Sequence, residues 1–344
     1  MNDHNNNAVD KKSSEQQTSP VSLVDSESFK DLCSRHPENS VGWQDRICQL
    51  LHKCAAGTPL PAKWIYPELR QLADTIATGH TNDSMQLEIV SHCWNYSDYL
   101  AFQLGSLLAH PPPSNLQLTM TVFHAAEDQQ TSALLKRIEK LPVTNITWNW
   151  QAIPAAYLFR RSIGRNLAAL HTQADWIWFT DCDETFQAGC LTGLQQALAE
   201  CRAPLVFPLT EHRTEPMESS ELKVDYDADW VTAISELPLD AFHANTMTRA
   251  TGPLQITRGD VARKFGYCNN VSCFQKPEVH FAKAHEDRIF RWLLNTDGTG
   301  VDIPGVFRIQ HREKGRERNS RLLSSIRESL RHARYKRLRK STKP

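Results

Sequence analysis

Two carboxylates one residue apart close a short, bulky apolar run, Asp175-Trp-Ile-Trp-Phe-Thr-Asp181-Cys-Asp183-Glu-Thr-Phe186. Four large apolar side chains in succession leave no solvent face, so the run predicts a buried strand. Asp181 and Asp183 then stand at its carboxyl end, where open α/β sheets bind their ligands. Acids at i and i+2 on a rigid strand end suit a divalent cation that bridges a phosphate. Solvated acids, or a cap on a following helix, would give the same letters, so the partners must decide.

Three segments offer partners. Arg161-Ser-Ile-Gly-Arg165-Asn166-Leu-Ala-Ala169 opens a helix just before the strand. A guanidinium and backbone donors near a helix start suit a diphosphate; an exposed helical face is the plainer reading. In Ala284-His-Glu286-Asp287-Arg-Ile-Phe-Arg-Trp-Leu-Leu294, acids precede an amphipathic stretch. They favour a helix N-terminus through the macrodipole, or one of them serves as a general base. Phe307-Arg-Ile-Gln-His311-Arg312 ends a strand in an imidazole. His311 is either structural or a ligand for a metal held by the acids.

Elements that could position these groups follow from periodicity. Strands are predicted at Leu87–Val90, Leu116–Phe123, Ile146–Trp150, Trp176–Thr180 and Leu205–Leu209. Helices are predicted near 97–109, 127–140 and 160–171. This alternation gives an α/β fold with a mostly parallel sheet flanked by helices. A helix follows Glu286 and a strand covers Gly305–Gln310. Residues 1–25 are polar and expected to be disordered. Residues 26–85 read as a helical N-terminal extension, with Trp43, Ile47, Leu50 and Leu51, then Leu69, Leu72 and Ile76, at helical spacing. Gly57 to Pro61 separates its two helices. Residues 211–245 are acidic and loop-like, and 313–344 form a basic helical tail.

The 344 residues carry 39 Lys and Arg against 39 Asp and Glu, so the formal charge is zero. The balance is local, because Arg312 to Lys343 holds 13 of the cations and only Glu313, Glu317 and Glu328. Nine cysteines without a CxxC pair or regular spacing point to free thiols in a reducing compartment. Met1 to Asn7 has no apolar segment of the secretory kind, and no run is long enough to span a bilayer. Cytoplasm is the expected compartment.

In this order and spacing, the segments resemble the inverting family 2 glycosyltransferases, which have the nucleotide-diphospho-sugar transferase (GT-A) fold. The resemblance covers residues 86–312. The family's helix with Ala-Arg-Asn is similar to Gly164-Arg165-Asn166, and its strand ending in Asp-x-Asp to Trp176–Asp183. Its hydrophobic-Arg…Gly-Gly-Phe segment is similar to Ile256-Thr257-Arg258 with Phe265-Gly266-Tyr267. Its Glu-Asp before an apolar helix is similar to Glu286-Asp287. The first strand ends differently, in His92-Cys-Trp94-Asn-Tyr96, and the second in His124-Ala-Ala-Glu127-Asp128. Glu127 or Asp128 would then replace the family's base-recognising carboxylate, with Trp94 or Tyr96 stacking on the base.

The resemblance implies a Rossmann-like GT-A domain and sugar transfer from a nucleotide-diphospho-sugar to a hydroxyl. It implies Mn²⁺ or Mg²⁺ held by Asp183, with Asp181 on the donor or the metal and His311 completing the set. Arg165 and Asn166 would sit by the donor, and Asp287, or else Glu286, would be the base. The implied partners are a nucleotide sugar, with a UDP-sugar the leading candidate, and a glycan or lipid-linked acceptor. The tail would lie on an anionic membrane surface.

Two other readings compete. Apolar run, Asp181-x-Asp183-x-Thr185 also fits the haloacid-dehalogenase phosphatases, with Asp181 as nucleophile. That signature normally opens its domain, whereas about 90 residues of strand–helix alternation precede it here. A non-catalytic protein could instead bind membrane or nucleic acid through Arg331 to Lys340. No nucleic-acid-binding pattern accompanies that stretch.

Overall fold

A computed structural model of the chain describes residues 22–37, 41–72, 84–217, 224, 238–281 and 285–311. The basic tail and residues 218–223 and 225–237 of the acidic stretch lie outside the described residues.

The core is a seven-stranded sheet that begins where the sequence turns β-branched. Strand β1 (Met85–Cys93) is followed by helix α1 (Ser97–Ala109), β2 (Leu116–His124), α2 (Gln129–Ile138), β3 (Ile146–Ala152) and α3 (Arg161–His171). Then come β4 (Trp176–Phe179), β5 (Glu184–Phe186), α4 (Cys190–Ala199), β6 (Leu205–Pro208), β7 (Thr210–Arg213), β8 (His243–Thr246), β9 (Gln255–Arg258), β10 (Thr299–Val301) and β11 (Val306–Arg308). The sheet order is β10-β6-β9-β4-β1-β2-β3. Strands β4, β1, β2 and β3 pair in parallel, and β9 runs antiparallel between β4 and β6. The expected α/β class and mostly parallel sheet are therefore present.

Burial explains the central strands. All four residues of β4 are fully buried, and eight of the nine in β1 are buried too. Neither strand has a solvent face, as a central parallel strand requires. Trp178 Nε1 donates to the Pro253 carbonyl at 2.9 Å, so the indole enters the core with its polar atom satisfied. Helix α3 is buried from Ser162 to Ala169. Gly164 permits its close approach, since a Cβ there would collide with the His92 ring.

A second sheet, ordered β5-β11-β7-β8, stands beside the first. The sequence missed most of it. Its strands have three or four residues each, too short for a period to register, and β7 and β8 fall in the acidic stretch read as loop. The strand expected at Gly305–Gln310 is β11, whose partners are β5 and β7 rather than the main sheet.

The N-terminal region departs from expectation in three ways. Leu23 and Val24 lie in the stretch expected to be disordered, yet their amides donate to Gln151 Oε1 on β3 at 2.9 and 3.2 Å, and Leu23 is buried. Two helices occur, Glu27–Arg35 and Trp43–Ala55, but Pro67–Leu72 is a 3-10 turn. Pro67 fixes the turn's start and supplies no amide there. The Trp43, Ile47, Leu50 and Leu51 stripe points outward, with Trp43 71% exposed. Helical spacing identified the helix but could not say which face would be covered.

Candidate active site

The carboxyl end of β4 delivers Asp181 and Asp183 as expected, and both are buried. Three arginines from two elements meet them. Arg161, at the first position of α3, reaches Asp181 Oδ1 at 2.5 Å, and Arg165, one turn on, reaches the same oxygen at 3.3 Å. Their i,i+4 spacing puts both guanidinium groups on one helical face. Arg308, the last residue of β11, spans the pair. Its Nη2 lies 3.5 Å from Asp181 Oδ2 and 3.0 Å from Asp183 Oδ2.

The second sheet adds two more acids. Glu184 and Glu211 are fully buried, 3.5 and 3.8 Å from Arg308. Burial, reinforced by Glu211, pushes the Glu184 carboxyl well above the usual carboxylate range. Burial alone would lower Arg308, but Asp183, Glu184, Glu211 and Asp181 together hold it well above the ordinary guanidinium value. Asp181 is the chief reason that Arg161 is also raised. The cluster thus interleaves buried acids with guanidinium groups, where electrostatic terms are strong.

His311 stands 3.6 Å from Asp183 Oδ2, and its ring packs against Tyr99 and Tyr96 at 4.7 and 4.8 Å. Tyr96 therefore belongs to this neighbourhood. Trp94 turns its ring edge-on to Phe159 at 5.3 Å. Two carboxylates with one imidazole form a donor set suited to Mn²⁺ or Mg²⁺. One cation, the Arg308 guanidinium, already bridges Asp181 and Asp183. The donor types fit a divalent ion, and that ion and Arg308 would share the same carboxylates.

A buried relay joins this cluster to the Glu286-Asp287 segment. Arg165 Nη1 donates to the Tyr267 hydroxyl at 3.0 Å, and that hydroxyl donates to Gln255 Oε1 at 2.8 Å. Gln255 Nε2 then donates to the Asp287 carbonyl at 3.1 Å. Asn166 accepts the Tyr267 amide at 2.8 Å and donates to Asn269 at 3.0 Å, so it positions Tyr267 instead of facing a ligand.

The two acids of that segment differ in environment. Glu286 is buried, ion-paired to Arg160 at 3.4 Å and hydrogen-bonded by Ser162 at 3.1 Å. Asp287 is half-buried and lines a cleft of about 770 Å³ with Arg249, His285, Arg288 and Arg291. Neither Asp181 nor Asp183 lines that cleft. Ala284, quoted with this segment, is outside the described residues.

The remaining candidates separate. Asp128 caps α2, accepting Thr131 N at 3.1 Å and Thr131 Oγ1 at 2.6 Å, and it also takes the Asn95 amide at 2.6 Å. Asn95 has φ 56°, a left-handed turn that brings its amide to that carboxylate. These contacts give Asp128 a structural task. Glu127 is exposed next to it.

Sequence reasoning missed Arg161, Arg308, Glu184, Glu211, Tyr267 and Gln255 as site residues. Arg161 carried a signal in its spacing from Arg165, and Arg308 in its place three residues before His311. Glu211 carried none, because its neighbourhood exists only once β7 pairs with β11.

No family model matches the chain, and no curated protein matches it. Among solved structures, the chain is similar to S. aureus TarS 1–349 in complex with UDP-GlcNAc, at 13% identity and TM-score 0.42 over 66% of this chain and 59% of that one. It is also similar to the mannosyltransferase PcManGT from Pyrobaculum calidifontis in complex with GDP-Man and Mn²⁺. That match has 15% identity and TM-score 0.40 over 78% of this chain and 69% of that one. The match spans about three fifths of the TarS 1–349 chain.

Proposed function

We propose that this protein is a glycosyltransferase that moves a sugar from a nucleotide-diphospho-sugar to a hydroxyl acceptor, with inversion at the anomeric carbon. The observation that carries the reading is the Asp181-x-Asp183 pair at the carboxyl end of β4, clasped by Arg161, Arg165 and Arg308. Carboxylates interleaved with guanidinium groups can hold a diphosphate and its counter-ion together. A divalent cation held by Asp183, Asp181 and His311 would supply positive charge opposite the leaving diphosphate.

The chain's own groups divide the remaining work. Arg161 and Arg165 offer guanidinium donors to the diphosphate oxygens. Asp287 takes the proton from the acceptor hydroxyl, because its carboxylate borders the cleft while Glu286 is tied to Arg160 and Ser162. The acceptor oxygen then forms a bond to the anomeric carbon as the bond to the diphosphate breaks. The Arg165–Tyr267–Gln255 relay fixes the distance between the donor end and the base. The acceptor class in this reading is a glycan or glycolipid of the cell surface, with a UDP-sugar as donor. Among the described residues, no helix is long and apolar enough to cross a membrane.

The test pairs activity with binding. Purified protein is screened against nucleotides and sugar nucleotides with and without Mn²⁺ by thermal shift, then assayed for nucleoside diphosphate release. Asp183→Asn should lose transfer while retaining its fold by circular dichroism; full transfer by that variant sinks the reading. Hydrolysis of generic phosphoesters without turnover of any sugar nucleotide would favour the phosphatase reading.

A further inference from the structure

The helix Trp43–Ala55 carries Cys48 and His52 four residues apart, so both side chains leave the same face. That face meets the 3-10 turn Ser272–Phe274 of the main domain. Gln49 Nε2 donates to the Cys273 carbonyl at 3.3 Å, and Arg46 pairs with Glu278 at 2.8 Å, which fixes helix against turn. A sulfur from Cys48, a ring nitrogen from His52 and the sulfur of Cys273 lie within 4.8 Å of one another. Among the described residues this is the one group of three such ligands that converges so closely.

The geometry has the dimensions of a zinc site. Cys48 Sγ and His52 Nδ1 are 3.5 Å apart. Tetrahedral zinc with a sulfur at about 2.3 Å and a nitrogen at about 2.1 Å separates the two ligands by about 3.6 Å. His52 Nε2 lies 2.6 Å from the Tyr66 hydroxyl. Metal-bound imidazoles use such a partner to fix the ring and its tautomer. Nδ1 also lies 2.8 Å from the Cys48 carbonyl. Coordination through Nδ1 takes the tautomer with its proton on Nε2, where the Tyr66 hydroxyl can accept it, in place of one that donates from Nδ1 to that carbonyl.

We infer that Cys48, His52 and Cys273 bind a thiophilic divalent cation, zinc first, with the fourth position open to water. Two thiolates and an imidazole select zinc over the oxygen-loving ions suited to Asp181 and Asp183. On binding, each thiol gives its proton to solvent. The ion would tie the N-terminal helix to the segment that carries Tyr267. Gln275, two residues after Cys273, donates to the Tyr267 and Cys268 carbonyls at 3.1 Å each. The clamp would therefore stiffen the wall that holds Arg165.

The experiment uses the full chain, reduced and stripped with a chelator, then titrated with Zn²⁺ or Co²⁺. Zinc should protect half-buried Cys48 of the unaltered protein from iodoacetamide, while exposed Cys54 stays reactive, as read by peptide mass spectrometry. Cobalt should give a thiolate charge-transfer band that Cys48→Ser weakens and that Cys48→Ser combined with Cys273→Ser abolishes. Tyr66→Phe should weaken zinc binding about 10- to 100-fold with the circular dichroism unchanged. Zinc binding that leaves the labelling of Cys48 unchanged would overturn the inference, as would a cobalt band that Cys48→Ser leaves at full intensity.

Discussion

Removing one oxygen atom tests whether the relay between the two ends of the site holds. Tyr267→Phe deletes a hydroxyl that accepts from Arg165 Nη1 at 3.0 Å and donates to Gln255 Oε1 at 2.8 Å, in a residue with no solvent exposure. The ring stays, stacked on Phe290 at 4.3 Å, so packing changes little. Two buried polar atoms are left behind. A donor on a charged group costs about 1.5–3 kcal/mol when stranded, and a neutral acceptor about 1–2. Arg165 keeps Thr180 O and Asp181 through Nη2, which favours the lower end. The expected loss is about 3 kcal/mol, roughly a 150-fold shift in the folding equilibrium. Urea unfolding followed by fluorescence reads it as a lower midpoint at unchanged m. Gln255→Leu in the Tyr267→Phe background should cost less than it does alone, because its stranded acceptor is already paid for. A Tyr267→Phe protein within about 0.5 kcal/mol of the parent would refute the relay.

Three further outcomes follow from the same geometry. Arg308→Met should destabilise by about 3–5 kcal/mol by stranding buried carboxylates. Glu211→Gln should recover part of that loss in a thermal melt; no recovery would mean that the cluster is not coupled. His92 is held well below its ordinary pKa of 6.5 by burial, then by Arg165 and Arg161. The unfolded chain therefore binds a proton below that pH that the folded one refuses. Stability present above pH 6.5 falls as pH drops, by up to about 1.4 kcal/mol per unit from this group. His92→Gln should flatten that part of the urea-derived profile, and an unchanged slope would contradict the assignment. Gly259→Ala should be poorly folded, because its Cβ would collide with the Ala174 backbone carbonyl; a normal melting temperature would show that the helix after β9 can shift.

The parts of the fold legible in sequence were those with strong local periodicity. Strands β1 to β4 and helices α1 and α3 fall where alternation and apolar runs put them. Of the candidate site, Asp181 and Asp183 were legible because a buried strand ends just before them. Arg308 and Glu211 were not, since each gains meaning only from pairing between short strands far apart in the chain. Asn166 shows the converse error. Its motif suggested ligand binding, whereas its amide side chain is spent on Tyr267 and Asn269. The exposed stripe at Trp43 and Leu51 marks another limit, because a period names a face without naming what covers it.

Strand β11 has a consequence for how the protein is made. Arg161 and Asp181 are 20 residues apart and leave the ribosome almost together, but Arg308 follows Asp183 by 125 residues. At about 5–20 residues per second, the acids wait about 6–25 s for their last counter-charge. Until then the second sheet also lacks the strand that separates β5 from β7. A nascent or truncated chain ending before residue 306 cannot bury Glu184 beside Arg308, whereas Glu211 keeps Arg213 on its own strand. Such a fragment would leave β5 without its partner, an open edge of the kind that pairs with other chains.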